Sequence, residues 1–191
     1  TFIRTFDVTV RNYETVSLRV VGEPTATDAN GEAESLPAEL DWVSEWDSYW
    51  VEFWVSTEDL DSQGIASVLL DLSYHTDMTS ATAIEYGSAF SQNQAGSIND
   101  GDGVIAGLSA ETAIADLGFN TQLLFARIQF ESLAQDEILL DLEGQSLGPH
   151  NPGLEMLTSE ISLHSERLNA APNVDSSETG LWANPYDLND D

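Results

Sequence analysis

The chain has 191 residues, 41% of them hydrophobic and 20% charged, which suffices for one large β domain or two small ones within the globular range. Its 34 acidic residues outweigh five basic ones, all Arg, for a formal charge of −29, so there is no basic face for nucleic acid and an anionic membrane surface is disfavoured. The absence of Cys excludes disulfides, thiolate metal sites and Cys nucleophiles.

Helical periodicity is scarce, and short β-rich runs dominate. In chain order the predicted strands are Phe6 to Val10, Val16 to Val21, Tyr49 to Ser56, Ile65 to Tyr74, Ala83 to Tyr86, Gly103 to Leu108, Leu123 to Phe130, Glu137 to Leu142 and Glu160 to His164. Period-two alternation puts Val51, Phe53 and Val55 on one face, Val68, Leu70 and Leu72 on another, and Leu124, Ala126, Ile128 and Phe130 on a third. Glu52, Asp71 and Arg127 then fall on the opposite, wetter faces. Ser109 to Leu117 could form one short helix, with Ser109 as N-cap. About nine short strands, polar turns and at most one short helix describe an all-β, antiparallel, jelly-roll-like β-sandwich.

The expected layout is a sandwich over 1–169 with an acidic excursion at 22–47, a linker at 170–180, and a separate aromatic-containing segment at 181–191. No apolar run approaches the ~18 residues of a membrane span. The net charge amounts to roughly one negative charge per 300 Å² of folded surface. At a Debye length of ~8 Å in physiological salt, against ~30 Å at 0.01 M, such self-repulsion is tolerable only in salty water. A saline or calcium-rich exterior, extracellular or at the cell surface, is the expected setting. Thr1 in place of a start Met fits either a removed leader or a piece of a longer chain.

Asp187, Asn189 and Asp191 occupy positions one, three and five of a calcium-loop pattern, in which alternate oxygen side chains converge on a hard cation. Asn99, Asp100 and Asp102 form a second oxygen-rich cluster, and Glu58, Asp59 and Asp61 a third, both read first as solvated turns. Ca²⁺ is therefore the expected cofactor. Trp42, Trp46, Trp50 and Trp54 recur every fourth residue. Placed on a strand, Trp50 and Trp54 share a face, where they could stack on sugar rings or on a partner protein; core packing is the competing reading. Trp46 and Trp182 join them as candidate contact residues. Catalytic patterns are thin. Paired carboxylates are uninformative among so many, and His75, His150 and His164 show no metal-type spacing. The chain is read as a non-enzyme.

The segment Trp50 to Glu131 resembles cohesin-like domains, the β-sandwich modules of cellulosome scaffolds and other bacterial surface proteins. The resemblance is carried by Val51-Glu52-Phe53-Trp54-Val55, then Gly64 followed by Ile65 to Tyr74, then Ile84-Glu85-Tyr86-Gly87, Gly96-Ser97-Ile98, and Leu123 to Phe130. The final residues, Trp182 to Asp191, resemble the opening of a dockerin-type calcium module, whose loop reads Asp-x-Asn-x-Asp-Gly. Together they are similar to a unit of large planctomycete-type surface proteins. The resemblance implies an extracellular structural or adhesive module of a surface, sheath or fibre, assembled through calcium and protein contacts. Its partners would be other copies of itself or neighbouring modules. A carbohydrate-binding module using exposed Trp residues is the alternative.

Overall fold

The structure is a computed structural model that describes residues 14–40, 42–44, 46–58, 64–133, 153–164, 172–176 and 182–184. Its strands are β1 (Glu14–Val21), β2 (Glu32–Ala33), β3 (Trp42–Ser44), β4 (Ser48–Thr57), β5 (Ile65–Ser73), β6 (Thr79–Tyr86), β7 (Gln92–Asn99), β8 (Val104–Glu111), β9 (Gln122–Ser132), β10 (Glu155–Leu163), β11 (Asn173–Ser176) and β12 (Trp182–Asn184). They form a six-stranded sheet in the order β11-β1-β4-β9-β2, with β6 also on β9, and a four-stranded sheet in the order β10-β5-β8-β7. A small third sheet pairs β12 with β3. Pairing within the two large sheets is antiparallel except between β1 and β11. This is the expected all-β sandwich. The strands predicted at Phe6 to Val10 and Glu137 to Leu142 lie outside the described residues.

The core fills the space between the large sheets. Val16, Leu18 and Val20 of β1 and Val51, Phe53 and Val55 of β4 meet Val68, Leu70 and Leu72 of β5, Ile105, Leu108 and Ala110 of β8, and Ile161 of β10. Burying each large side chain contributes about 1.5–3 kcal/mol. Phe130 joins the aromatic residues, stacked on Tyr49 with centroids 5.6 Å apart and edge-on to Tyr74 at 5.2 Å. The inward faces of β4 and β5 are as the alternation predicts.

The alternation read for β9 is corrected at its start. The pairing jumps from Phe53 opposite Ala126 to Trp54 opposite Leu124, so Phe125 is an extra, bulged residue. The bulge returns Leu123 and Phe125 to the core with Ala126, Ile128 and Phe130, and it turns Leu124 to the other face of the sheet.

The short helix expected at Ser109 to Leu117 is also corrected. Ser109, Ala110 and Glu111 pair with Leu69, Val68 and Ser67 as the end of β8, because Leu108 and Ala110 need the core on a period of two rather than 3.6. Two glycines of the cohesin-like pattern have steric reasons. Gly64 adopts φ +80°, and a Cβ there would stand 2.6 Å from the Leu117 backbone nitrogen. At Gly87 a Cβ would overlap the Leu124 carbonyl oxygen.

Candidate docking face

The outer faces of the two large sheets differ. Across the six-stranded sheet runs the segment 22–40, tied down along its length. Its Leu40 N–H donates to Val20 O at 2.8 Å, its Thr25 N–H to Glu52 Oε1 at 2.8 Å, and its Gly31 carbonyl accepts from Leu124 N–H at 2.9 Å. Glu32 Oε1 accepts from Gly118 N–H at 2.9 Å and Thr121 Oγ1 at 2.6 Å. An Asp28 turn organises the middle, its Oδ1 taking the N–H groups of Asn30 and Glu32 at 2.8 Å each. On this side of the sheet Glu52, which the strap bonds, is buried, as are Trp54 and Leu124.

The four-stranded sheet carries no such cover among the described residues. With Val68, Leu70 and Leu72 inward, Ser67, Leu69, Asp71 and Ser73 point outward on β5. Neighbouring strands extend them into rows: Ser162, Ser67, Glu111 and Gln92 in one, Glu160, Leu69, Ser109 and Ala95 in the next. Small and polar side chains thus surround one half-buried leucine, with carboxylates on either side of the β5 axis. Asn93, with φ +49°, donates its Nδ2–H to Glu111 Oε2 at 2.8 Å. Asp71 Oδ1 accepts the Gly107 N–H at 2.6 Å where β8 bulges. A groove of about 290 Å³ runs over these rows, lined by Ser67, Leu69, Asn93, Ser109, Glu111, Glu160 and Ser162. At ~4.8 Å per strand and ~3.3 Å per residue the face measures on the order of 500 Å².

The sequence reading missed these residues. Their signal was present in Ser67-Val68-Leu69-Leu70-Asp71-Leu72-Ser73, where the positions between core residues are small or polar, but that alternation was read only for its inward half.

The aromatic candidates are not brought together as a platform. Trp54 has no exposed surface, which corrects its reading as a contact residue: its Nε1–H is spent on Glu52 Oε2 at 3.1 Å, and the other oxygen of that carboxylate holds the strap. Glu52 is likewise buried rather than on a wet face. Trp50, on the same side of β4, is partly covered by the Arg127 guanidinium, 5.3 Å from the ring centre. Trp46 is 61% exposed at φ +72°. β12 begins at Trp182, paired with Trp42.

Of the metal candidates, Asp187, Asn189 and Asp191 lie outside the described residues, as do Asp59 and Asp61 of the third cluster. In the tentative set Asn99, Asp100 and Asp102, both oxygens of Asp100 and one of Asp102 already accept hydrogen bonds from the protein. Asp100 Oδ1 accepts from Tyr74 OH at 2.6 Å and Ala81 N–H at 3.0 Å, its Oδ2 from Ser80 Oγ at 2.9 Å, and Asp102 Oδ2 takes the Asn99 Nδ2–H at 2.6 Å. Burial alone would raise the Asp100 carboxyl; the three hydrogen bonds outweigh it and hold the pKa below the ordinary value. The turn at Asp100–Asp102 therefore clamps β5 and β6 together. Among the described residues no group of three or more His, Asp or Glu could hold a metal, and no helix is long and apolar enough to cross a membrane.

Gly144-Gln145-Ser146-Leu147-Gly148 has the Gly-x-Ser-x-Gly spacing of a nucleophile elbow, a pattern the catalytic reading passed over. It lies outside the described residues.

No protein-family model matches the sequence, and no curated protein matches it. Solved structures do match the fold. The seventh ScaB type I cohesin from Pseudobacteroides cellulosolvens superposes with a TM-score of 0.56 at 11% identity, over 90% of this chain and 92% of that one. A type I cohesin–dockerin complex from Clostridium thermocellum gives 0.53 at 14% identity, over 91% of this chain and 94% of that one. The chain is a cohesin-like β-sandwich in fold.

Proposed function

We propose that the chain is a non-catalytic docking module that binds a protein partner on the outer face of its four-stranded sheet, within a larger extracellular assembly. The observation that carries this reading is the asymmetry of the sandwich: one sheet is strapped over by 22–40, and the other presents rows of small polar side chains around Leu69 that nothing among the described residues covers. An apolar centre with a polar surround is the anatomy of a protein interface. With ~500 Å² on each partner the contact falls at the small, reversible end of specific interfaces, near ~1,000 Å² in total. The cohesin–dockerin complex among the matching structures is a precedent for this fold as a docking module.

Assembly through Ca²⁺ at Asp187, Asn189 and Asp191 belongs to the same proposal, as do attachment to neighbouring modules or further copies and a structural role in a sheath or fibre. A two-ring carbohydrate platform is disfavoured, since Trp54 is buried and Trp50 is partly covered by the Arg127 guanidinium.

Steric blockade tests the docking face. Immobilised protein exposed to extract of the producing organism should retain a saturable protein partner. Ser67→Trp with Ser109→Trp should abolish the capture, whereas Glu23→Arg on the strap should leave it. A blocked variant that is folded by circular dichroism and still captures the partner refutes the docking face.

A further inference from the structure

Resting on that docking reading, we infer that the groove over Leu69 receives a long basic side chain, Arg or Lys, from a protein other than a second copy of this chain. Two independent features of the groove point to such an occupant. Its floor holds the half-buried Leu69, flanked by the hydroxyl-bearing Ser67 and Ser109, and its sides carry Glu160 and Glu111 on the two strands that border β5. A side chain with an apolar stem and a cationic head fits both, its methylenes on the leucine and its charge between the carboxylates.

The charge pattern of the sheet supports the same occupant. β5, β7, β8 and β10 contain no Arg or Lys. The two Arg residues among the described residues, Arg19 and Arg127, belong to the six-stranded sheet. There Arg19 reaches Glu39 at 3.7 Å and Arg127 bonds Glu85 at 2.8 Å.

A second copy is the wrong donor for the same reason. With no Lys and five Arg against 34 acidic residues, a copy brought against this face sets negative charge on negative charge. A basic segment on a different protein gains steering from the net charge and specificity from the groove.

The probe is a synthetic peptide, Ser-Ala-Arg-Ser-Ala-Arg-Ser, together with a twin in which citrulline replaces both arginines, keeping the shape and removing the charge. Each is titrated into ¹⁵N-labelled protein at physiological salt. The arginine peptide should perturb the amides of Ser67, Leu69, Ser109, Glu111, Glu160 and Ser162 selectively. The citrulline twin should not, and Glu111→Gln with Glu160→Gln should weaken the arginine peptide roughly tenfold. Perturbations spread evenly over carboxylates elsewhere, or affinity unchanged in the double Gln variant, overturn the inference. Equal binding of the citrulline peptide in the groove overturns it too, but leaves the docking face standing. The docking face itself falls only with the Trp-blocked variants above, which keep the charge and remove the space.

Discussion

Glu52 and Trp54, two residues apart on β4, are both without exposed surface and share a hydrogen bond from the indole Nε1–H to Glu52 Oε2 at 3.1 Å. The other carboxylate oxygen takes the Thr25 N–H of the strap at 2.8 Å. In the strand register Glu52 lies between Arg19 of β1 and Arg127 of β9, so a buried negative charge sits in a row with two positive ones. The strap is thus held to the sheet by a carboxylate rather than by apolar contact alone.

Glu52→Ala should cost about 2–5 kcal/mol, because it leaves the Thr25 N–H and the Trp54 Nε1–H without acceptors. Glu52→Gln retains one acceptor and should cost less, about 1–3 kcal/mol. Urea unfolding measures both. Amide exchange at Thr25 should accelerate in the Ala variant even where global stability survives. Protection of Thr25 equal to wild type would mean that the strap is held by something else.

Phe53→Ala should destabilise by about 3–5 kcal/mol through lost burial and the cavity left behind. Trp54→Ala belongs in the same range, since Trp54 is just as buried, on the strap side. Trp50→Ala should fall well below both, because its ring faces the guanidinium of Arg127 rather than the core. Urea midpoints for the three variants order them. A Trp50 variant as damaged as Phe53→Ala would place that ring in the core.

These variants mark how far the sequence could be read. Val51, Phe53, Val68 and Leu70 announced the sandwich because a strand with one face in a core must alternate, and that rule depends only on the strand's own residues. Glu52 and Trp54 were misjudged because the face they share meets a segment 12 or more residues away in sequence whose composition carries no periodicity, and Leu124 because the bulge at Phe125 breaks the alternation. β7 was missed altogether: Gln92-Asn93-Gln94-Ala95-Gly96-Ser97-Ile98-Asn99 is an almost wholly exposed edge strand held by its backbone pairing to β8. Strand pairing without side-chain burial leaves no pattern to read. The docking rows were legible in β5 alone, but which strands flank it is a matter of topology.

Stability should rise with ionic strength. The excess of 29 negative charges opposes the compact state, and screening shortens its reach from ~30 Å at 0.01 M to ~8 Å at physiological salt. Urea midpoints at ~10 mM and ~500 mM NaCl compare these regimes. A midpoint that stays put or falls would show the carboxylates already neutralised by bound ions.

Calcium should distinguish the two oxygen-rich sets. Both oxygens of Asp100 and one of Asp102 are spent on protein donors, so amides at Asn99 to Asp102 should respond little to added Ca²⁺. Asp187, Asn189 and Asp191 carry the loop spacing, and their three side chains supply only part of the ~6–8 oxygens the ion takes, so binding should be weak, at ~10⁻⁴–10⁻³ M. Titration of ¹⁵N-labelled protein, with Asp187→Ala and Asp191→Ala as controls, reads both. Saturable shifts that persist in the control, or shifts centred on Asp100, contradict the assignment.

The pH dependence should have two separate limbs, joined at Tyr74. Its hydroxyl donates to Asp100 Oδ1 at 2.6 Å, and burial first, then that hydrogen bond and the Asp100 charge, push the phenol above its ordinary pKa of about 10. Burial raises Tyr49 as well, against a smaller opposing effect of its bond to Thr79 at 2.9 Å. In the unfolded chain these phenols lose their protons near pH ~10, while the folded protein still holds them, so the folded state binds more protons and stability falls as pH rises past ~10. Asp100 behaves in the opposite sense. Its folded pKa lies below the unfolded value, so its contribution is complete above ~4 and is lost as pH falls through the folded value. Between these limbs neither pair changes charge. Tyr74→Phe removes a raised phenol and one of the three donors on Asp100, so both the alkaline and the acid losses in urea midpoint should shrink relative to wild type. Were the acid limb unaltered in that variant, the Tyr74 hydroxyl would not be what stabilises the Asp100 carboxylate.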